Sequence, residues 1–283
     1  MKDICVFGGK GFVGSWFSEY ASTKWNVKVV DRGVTVPTTG KIVNFISTVH
    51  NYNVFDNPHL DINTNLNHLI TVLDSARKSF SEVEINYISS WFVYGKGHKS
   101  PISENVPCNP KGFYSITKHA AEELLQSYCD TFNLKYRILR LSNVIGVGDE
   151  KVSRKKNAIQ KIIRDLCIEK RVDYLYETDS VRDFIDVRDA AKAIALVIDK
   201  GELNSTYNIS NGAGISIHKV SKYVADRVDA SLKMIPVPDF HKIVQDTDVY
   251  MDNTKLVELG YRQDYSIYDT VDWIMDNYVT DQR

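Results

Sequence analysis

The apolar run Ile4-Cys5-Val6-Phe7 leads into Gly8-Gly9-Lys10-Gly11-Phe12-Val13-Gly14, and then into Ser15-Trp16-Phe17-Ser18-Glu19-Tyr20. A buried strand, a glycine-rich turn and a helix start, in that order, constrain this chain more than any other feature. The first backbone N–H groups of a helix have no partner within the helix and carry partial positive charge, so such a turn cradles phosphate. Glycine lets the phosphate approach the backbone where a side chain would hold it off. The spacing is GxxGxxG, and it marks Gly8, Gly11, Phe12, Val13 and Gly14 as candidate dinucleotide contacts.

A second apolar segment, Val27-Lys28-Val29-Val30, ends in Asp31. The interval from Gly14 fits a βαβ unit whose second strand places an acid at the adenosine ribose. A carboxylate there accepts hydrogen bonds from the ribose hydroxyls and repels a 2′-phosphate, which favours NAD over NADP. Arg32 points the other way, since an arginine beside the site can hold a 2′-phosphate. The plainer alternative is a strand ending at an Asp31-Arg32-Gly33 turn.

The 283 residues suffice for a sizeable core and more than one lobe. A net charge of −1 gives no basic field for nucleic acid, so an anionic ligand must be held by local geometry. No apolar run approaches the roughly 20 residues that span a bilayer. The chain enters a strand at once, which leaves no space for a signal peptide. Cys5, Cys108, Cys129 and Cys167 are scattered, with no CxxC and no metal-ligand spacing. Reduced thiols, a cytoplasmic setting and no bound metal are therefore expected.

Strand-like and helix-like segments alternate through the first half. Ile42–Ile46, Ile85–Ser89 and Tyr136–Arg140 read as strands, and Pro58–Lys78 and Phe113–Phe132 as helices. This alternation predicts a parallel sheet with helices on both faces, and ligands beyond the carboxyl ends of its strands. The charged run Asp149–Lys156 interrupts the pattern and reads as a solvated loop or helix start. Shorter elements follow, up to a terminal helix near Ile267–Tyr278. The expected division is a dinucleotide-binding domain over 1–146, completed by parts of 181–211, and a mainly substrate-binding lobe over 147–283.

Tyr114 and Lys118 stand four apart on a predicted helix, so both side chains share one face. A tyrosine near pKa 10 is a poor base at neutral pH. A neighbouring ammonium and a positive nicotinamide favour the phenolate and draw that value down. Such a tyrosine takes a proton from a sugar hydroxyl as hydride leaves, or returns it in reverse. Ser90, in Ser89-Ser90-Trp91-Phe92-Val93-Tyr94-Gly95, follows the preceding strand and faces the same cleft.

In this order the chain resembles the extended short-chain dehydrogenase/reductase family, which contains the NAD-dependent nucleotide-sugar epimerases and dehydratases. The resemblance covers nearly the whole sequence. Ser90–Gly95 looks like the family's serine/threonine-x-x-VYG segment, and Pro101, Glu104 and Pro107 like its proline- and acid-bearing loop. Arg140–Gly146 looks like R-x-x-N-V-Y-G, and Arg182–Val187 like R-D-F-I-H-V. Asn253–Leu256 with Leu259-Gly260-Tyr261 looks like its C-terminal signature.

The resemblance implies a Rossmann-type doubly wound parallel sheet with a smaller C-terminal α/β substrate lobe. It implies Tyr114 as acid/base, Lys118 on the nicotinamide ribose, and Ser90 on the sugar. Asn143 and Arg182 would hold the diphosphate of a nucleotide-sugar, and Ser47 and Asn65 would lie near the cofactor. Alternatively Asn143 caps a turn and Arg182 pairs with Asp183 or Asp186. A homodimer is implied, formed through the helices near Pro58–Lys78 and Phe113–Phe132.

Departures from the family pattern narrow the reaction. In its 4,6-dehydratases the two residues after the Ser90 position are an aspartate and a glutamate, which move the protons of dehydration. Here they are Trp91 and Phe92, so dehydration is disfavoured. The expected activity is NAD(P)-dependent epimerisation at sugar C4, and the alternative is reduction of a 4-keto-deoxy-sugar nucleotide by NAD(P)H. About ten residues separate Asp31 from Ile42, too few for the third strand and helix that family members often carry. That shortening weakens the grip on the adenosine and keeps the reductase reading open. His241 and Lys242 stand where an arginine is often found, so the nucleotide base stays open.

Overall fold

The computed structural model describes residues 1–149, 152–244 and 246–280. Its strands are β1 (Asp3–Phe7), β2 (Asn26–Val30), β3 (Lys41–Asn44), β4 (Glu84–Ser90), β5 (Lys135–Leu141), β6 (Asn143–Ile145), β7 (Arg171–Tyr176), β8 (Val181–Asp186), β9 (Ser205–Ile209), β10 (Gly214–Ser216), β11 (Ser231–Ile235) and β12 (Asp248–Val249). Six of them form one sheet in the order β2-β1-β3-β4-β5-β9, and every pairing in it is parallel. From β1 the chain builds outward to β2 on one side and through β3 to β9 on the other. This is a doubly wound, Rossmann-type sheet, and its strand order reverses between β1 and β3. Ligands of such sheets sit at that reversal, beyond the carboxyl ends of the strands.

Burial on both faces explains the strand sequences. Ile4, Cys5, Val6 and Phe7 are wholly buried, as a central parallel strand requires. On one face the sheet packs against helices Phe12–Ala21 and Val187–Lys200, through Phe17, Ala190, Ile194 and Val197. On the other face lie helices His68–Ser79 and Phe113–Phe132, contributing Leu69, Leu73, Ala121 and Leu125. The continuous helix expected over 58–78 is broken. A short turn at His59–Asp61 and a wider π-helical stretch at Ile62–Asn67 precede the regular helix. That stretch delivers Asn65 inward.

Helix Phe113–Phe132 buries Tyr114, Thr117, Lys118, Ala121, Leu125 and Cys129, a stripe at three- and four-residue spacing. It ends at Asn133, which takes the left-handed conformation with φ 51°. Its start is fixed from far away: Asn51 Oδ1 accepts from the Ser115 N–H (3.1 Å). A Cβ on Gly112 would meet Asn51 Oδ1 at 2.1 Å, so only glycine lets the cap in.

The remaining strands form small sheets. β8 lies between antiparallel β10 and parallel β12, with β6 also pairing β8, and β7 pairs β11. Helices Ala158–Glu169, Ile217–Val228 and Ile267–Thr280 close a separate core around Ile163, Leu166, Val220, Val224 and Val271. The charged run after Asp149 is pinned rather than free. Lys156 Nζ pairs with Asp149 (2.5 Å) and Arg154 lies over the Tyr174 ring; Glu150 and Lys151 fall outside the described residues.

The tightest packing in the glycine turn is at Gly14, where a Cβ would stand 2.2 Å from the Gly8 carbonyl oxygen. That oxygen and the Gly8 and Gly9 carbons beside it are backbone, so none yields cheaply. Gly14→Ala is expected to cost ~1–3 kcal/mol of stability, read from the urea-denaturation midpoint. An unchanged midpoint would show that the turn relaxes freely.

Candidate active site

The glycine turn opens the cleft at the β1/β3 reversal. Gly8 adopts φ +75°, a backbone conformation that side chains disfavour. Gly11 stands just before the helix and no side chain caps its first turn, where Phe12, Val13 and Gly14 lie. An uncapped helix start packed against a glycine backbone fits the phosphates of a dinucleotide. Asp31 follows β2 beside this turn. Its carboxylate accepts from Lys10 Nζ at 2.5 Å, and that hydrogen bond and charge hold its pKa below the usual range. Arg32 is exposed.

Tyr114 is buried at the first turn of its helix, edge-on to Phe92 with ring centroids 5.8 Å apart. Burial pushes the phenol up to about 12, against the pull of hydrogen bonds from Ser90 and Ser47. Ser47, Ser90 and Tyr114 therefore come together as three hydroxyls. The four-residue spacing predicts that Lys118 draws the phenol down, but burial raises it and the ammonium is engaged elsewhere. The Lys118 ammonium turns to the sheet and donates to Tyr87 Oη (2.6 Å) and the Ile88 carbonyl (2.7 Å). Burial drives this lysine down to about 7, opposed by the carboxylate of Glu122 one turn further on. At neutral pH the phenol is thus a proton donor, and Lys118 sits near its own midpoint.

Asn65 is buried and fully engaged. Its amide nitrogen donates to Thr48 Oγ1 and Thr117 Oγ1 (both 2.9 Å). Its oxygen accepts from the Thr48 N–H (2.9 Å) and Ser47 Oγ (3.1 Å). Both donors and both acceptor positions are used. The residue therefore fixes Ser47 and the Tyr114 helix, with no free group left for a cofactor.

On the opposite wall, Trp91 stacks on Phe92 at 4.1 Å, and its indole N–H donates to Asn143 Oδ1 (3.3 Å). Asn143 Nδ2 donates to the Asp183 carbonyl (2.9 Å). The Arg182 guanidinium is buried 5.7 Å from the Trp91 ring. It donates to the carbonyls of Val181 (2.9 Å), Asp246 (2.9 Å) and Thr247, and pairs with no carboxylate among the described residues. Asp186 is taken by Arg188 (2.7 Å), and Asp183 accepts from the N–H groups of Asn211 and Met251. The alternative ion pairs for Arg182 are thus not formed. Burial lowers this arginine to about 10, so an incoming anion would restore what desolvation removes. His241, pushed down to about 4 by burial and by Arg182, bonds through Nδ1 to the Tyr52 hydroxyl (2.8 Å).

Three contributors escaped the sequence reading. Tyr87 holds the lysine, Thr117 orients Asn65, and Glu122 faces Lys118 while gripped by Arg140. Glu122, four residues after Lys118, was detectable by helical spacing. The other two depend on contacts between distant segments.

A family model described as "NAD dependent epimerase/dehydratase family" matches residues 41–210, more than half of the chain. This chain belongs to that family. It is therefore an NAD(P)-dependent enzyme of the nucleotide-sugar epimerase, dehydratase and reductase group. Among curated proteins it is 25% identical to the low-salt glycan biosynthesis protein Agl12 of Haloferax volcanii, covering 99% of this chain and 100% of the relative. It is 22% identical to a putative UDP-glucose 4-epimerase of Methanocaldococcus jannaschii, covering 97% and 99%. Among solved structures, UDP-glucose 4-epimerase of Thermotoga maritima with UDP-glucose superposes with TM-score 0.87 at 19% identity, covering 99% and 100%. RMD of Pseudomonas aeruginosa with NADPH gives 0.84 at 21%, covering 99% and 100%. These two likenesses are of fold.

Lys118→Met removes the ammonium at nearly constant volume. The Ile88 carbonyl loses a donor while the desolvation of a charge is relieved, so the two effects should offset to within about 2 kcal/mol. Turnover should drop by at least ~100-fold. Denaturation and steady-state rates measured on the same preparation check both, and a variant that keeps its rate would remove Lys118 from the reaction.

Proposed function

We propose that this protein is an NAD(P)-dependent nucleotide-sugar epimerase acting at sugar C4. The observation that carries this reading is a phenol flanked by two hydroxyls at the strand-order reversal, walled by aromatic rings that cannot move protons. With the positive nicotinamide bound and favouring the phenolate against burial, Tyr114 would take the proton from the C4 hydroxyl as hydride departs, and return it once the keto sugar has turned over. Ser90 hydrogen-bonds the reacting oxygen, and Ser47 steadies the phenol. Lys118, with one ammonium hydrogen left after Tyr87 and Ile88, would hold the nicotinamide ribose. The bound dinucleotide supplies one chemistry, the acceptance and return of hydride. Gly8, Gly11, Phe12, Val13 and Gly14 hold its diphosphate, and Asp31 with Arg32 its adenosine ribose. Asn143 and Arg182 hold the sugar-nucleotide diphosphate, for which a buried guanidinium without a carboxylate partner is apt.

A second reading, a 4-keto-sugar reductase, draws on two observations. β2 is the edge of the sheet, with no further strand beside it among the described residues, which suits a dinucleotide that exchanges readily. Tyr114 rests protonated, as the donor in a reduction must. The dinucleotide half is assigned to 1–146 with part of 181–211, and the substrate half mainly to 147–283. Four free cysteines suit a reducing, cytoplasmic setting.

Incubation with NAD⁺ and UDP-glucose, followed by NMR of the sugar anomeric protons, is expected to show the 4-epimer with no net change in cofactor. Stoichiometric oxidation of NAD(P)H with a 4-keto-6-deoxy-sugar nucleotide, and no epimer, would instead establish the reductase. Tyr114→Phe should lose at least ~100-fold in either reaction with its fold intact. An active variant would remove the phenol from the mechanism.

The homodimer is proposed on an exposed apolar stripe, Phe113, Ile116 and Leu124, with Ile62 and Ile70 exposed on the neighbouring helical segment. A second copy of the same pair of helices would cover them. Light scattering at micromolar concentration should give twice the chain mass, and Ile116→Glu should halve it. A wild-type monomer would dismiss the dimer.

A further inference from the structure

Between the Tyr114 helix and the loop that leads into it, three side chains of different chemistry converge. A Cys108 sulfur, a His119 ring nitrogen and a Glu122 carboxylate oxygen all lie within 4.8 Å of one another. His119 and Glu122 stand three apart on helix Phe113–Phe132, so both project from one face. Cys108 comes from the loop that leads into this helix. Its distance in sequence from the other two explains why cysteine spacing alone gave no sign of a site. The thiol is free and half-buried.

We propose that Cys108, His119 and Glu122 bind a divalent, borderline-soft cation of the zinc type, with water completing the shell. Sulfur, imidazole and carboxylate are the ligands that suit such an ion, and three protein ligands with one open position form a common tetrahedral arrangement. His119 Nδ1 is buried with no hydrogen-bond partner and lies 3.7 Å from Glu122 Oε2. That nitrogen is a ligand atom without an occupation. Arg140 already grips Glu122, with Nε to Oε1 at 3.1 Å and Nη2 to Oε2 at 2.7 Å. A carboxylate has about four lone-pair positions, so it can keep this clamp and still face a cation. Outer hydrogen bonds of this kind orient metal-bound carboxylates.

A metal takes neutral imidazole and thiolate, so binding releases the protons that these ligands carry as the metal–nitrogen and metal–sulfur bonds form. The side chain of His119 is 26% exposed, which leaves a way in from solvent. A bound ion would tie the loop carrying Cys108 to the helix that presents Tyr114.

The site can be tested without the sugar chemistry. Zn²⁺ titrated into the full chain at about pH 8, against a chromophoric chelator, should bind one equivalent and raise the Tm. Co²⁺ should produce a sulfur-to-metal charge-transfer band. Cys108→Ser should abolish the band, and both Cys108→Ser and His119→Gln should weaken Zn²⁺ at least about tenfold with unchanged circular dichroism. Absence of stoichiometric binding, Co²⁺ bound without the thiolate band, or wild-type affinity in both variants would overturn the proposal.

Discussion

The geometry of the cleft hangs on one buried amide. Asn65 spends its whole hydrogen-bonding capacity on Thr48, Ser47 and Thr117. It thereby locks the end of β3 to the helix that carries Tyr114. Thr48 continues this seam to Asp61, which also accepts from Asn53 (2.9 Å). In a low-dielectric interior such a seam has few alternative arrangements, because any partner left out is left unsolvated. The π-helical stretch that interrupts the 58–78 segment is what aims Asn65 inward, so an irregularity of one helix sets the register of another.

Desolvation governs the charges around this seam. Burial raises Tyr114, lowers Lys118 and lowers Arg182, and it raises Asp183 to about 6. Each group is moved toward its neutral form, by the same cause acting on opposite chemistries. A charge that enters such a cleft is weakly screened and acts strongly on all of them. The phenol and the ammonium are thus set by the sheet and the helix, and a ligand's charge finishes the adjustment.

Much of this was legible in the chain itself. The glycine turn, the β/α alternation and the four-residue step from Tyr114 to Lys118 follow from local spacing, and spacing survives folding. The direction of the Lys118 side chain was not legible, because Tyr87 lies on a strand 31 residues earlier. Nor was the cap on the Tyr114 helix, since Asn51 reaches Ser115 across 64 residues. The carbonyl cage of Arg182 is built from residues about 65 positions downstream. In each case a polar group took the nearest partner in space, and sequence periodicity carries no record of that choice.

The edge position of β2 has a consequence for the behaviour of the molecule in crowded solution. An outermost strand presents unmatched backbone donors and acceptors, which template the addition of foreign chains. Here the strand is only five residues long, Lys28 stands exposed at its middle, and its first residue, Asn26, is clipped to Asp3 at 2.7 Å. Shortness and a hydrated ammonium are the means by which natural sheets discourage such growth. Omitting a strand at this border has therefore made colloidal solubility a task of the rim itself, with Lys28 standing guard beside the exposed Val29.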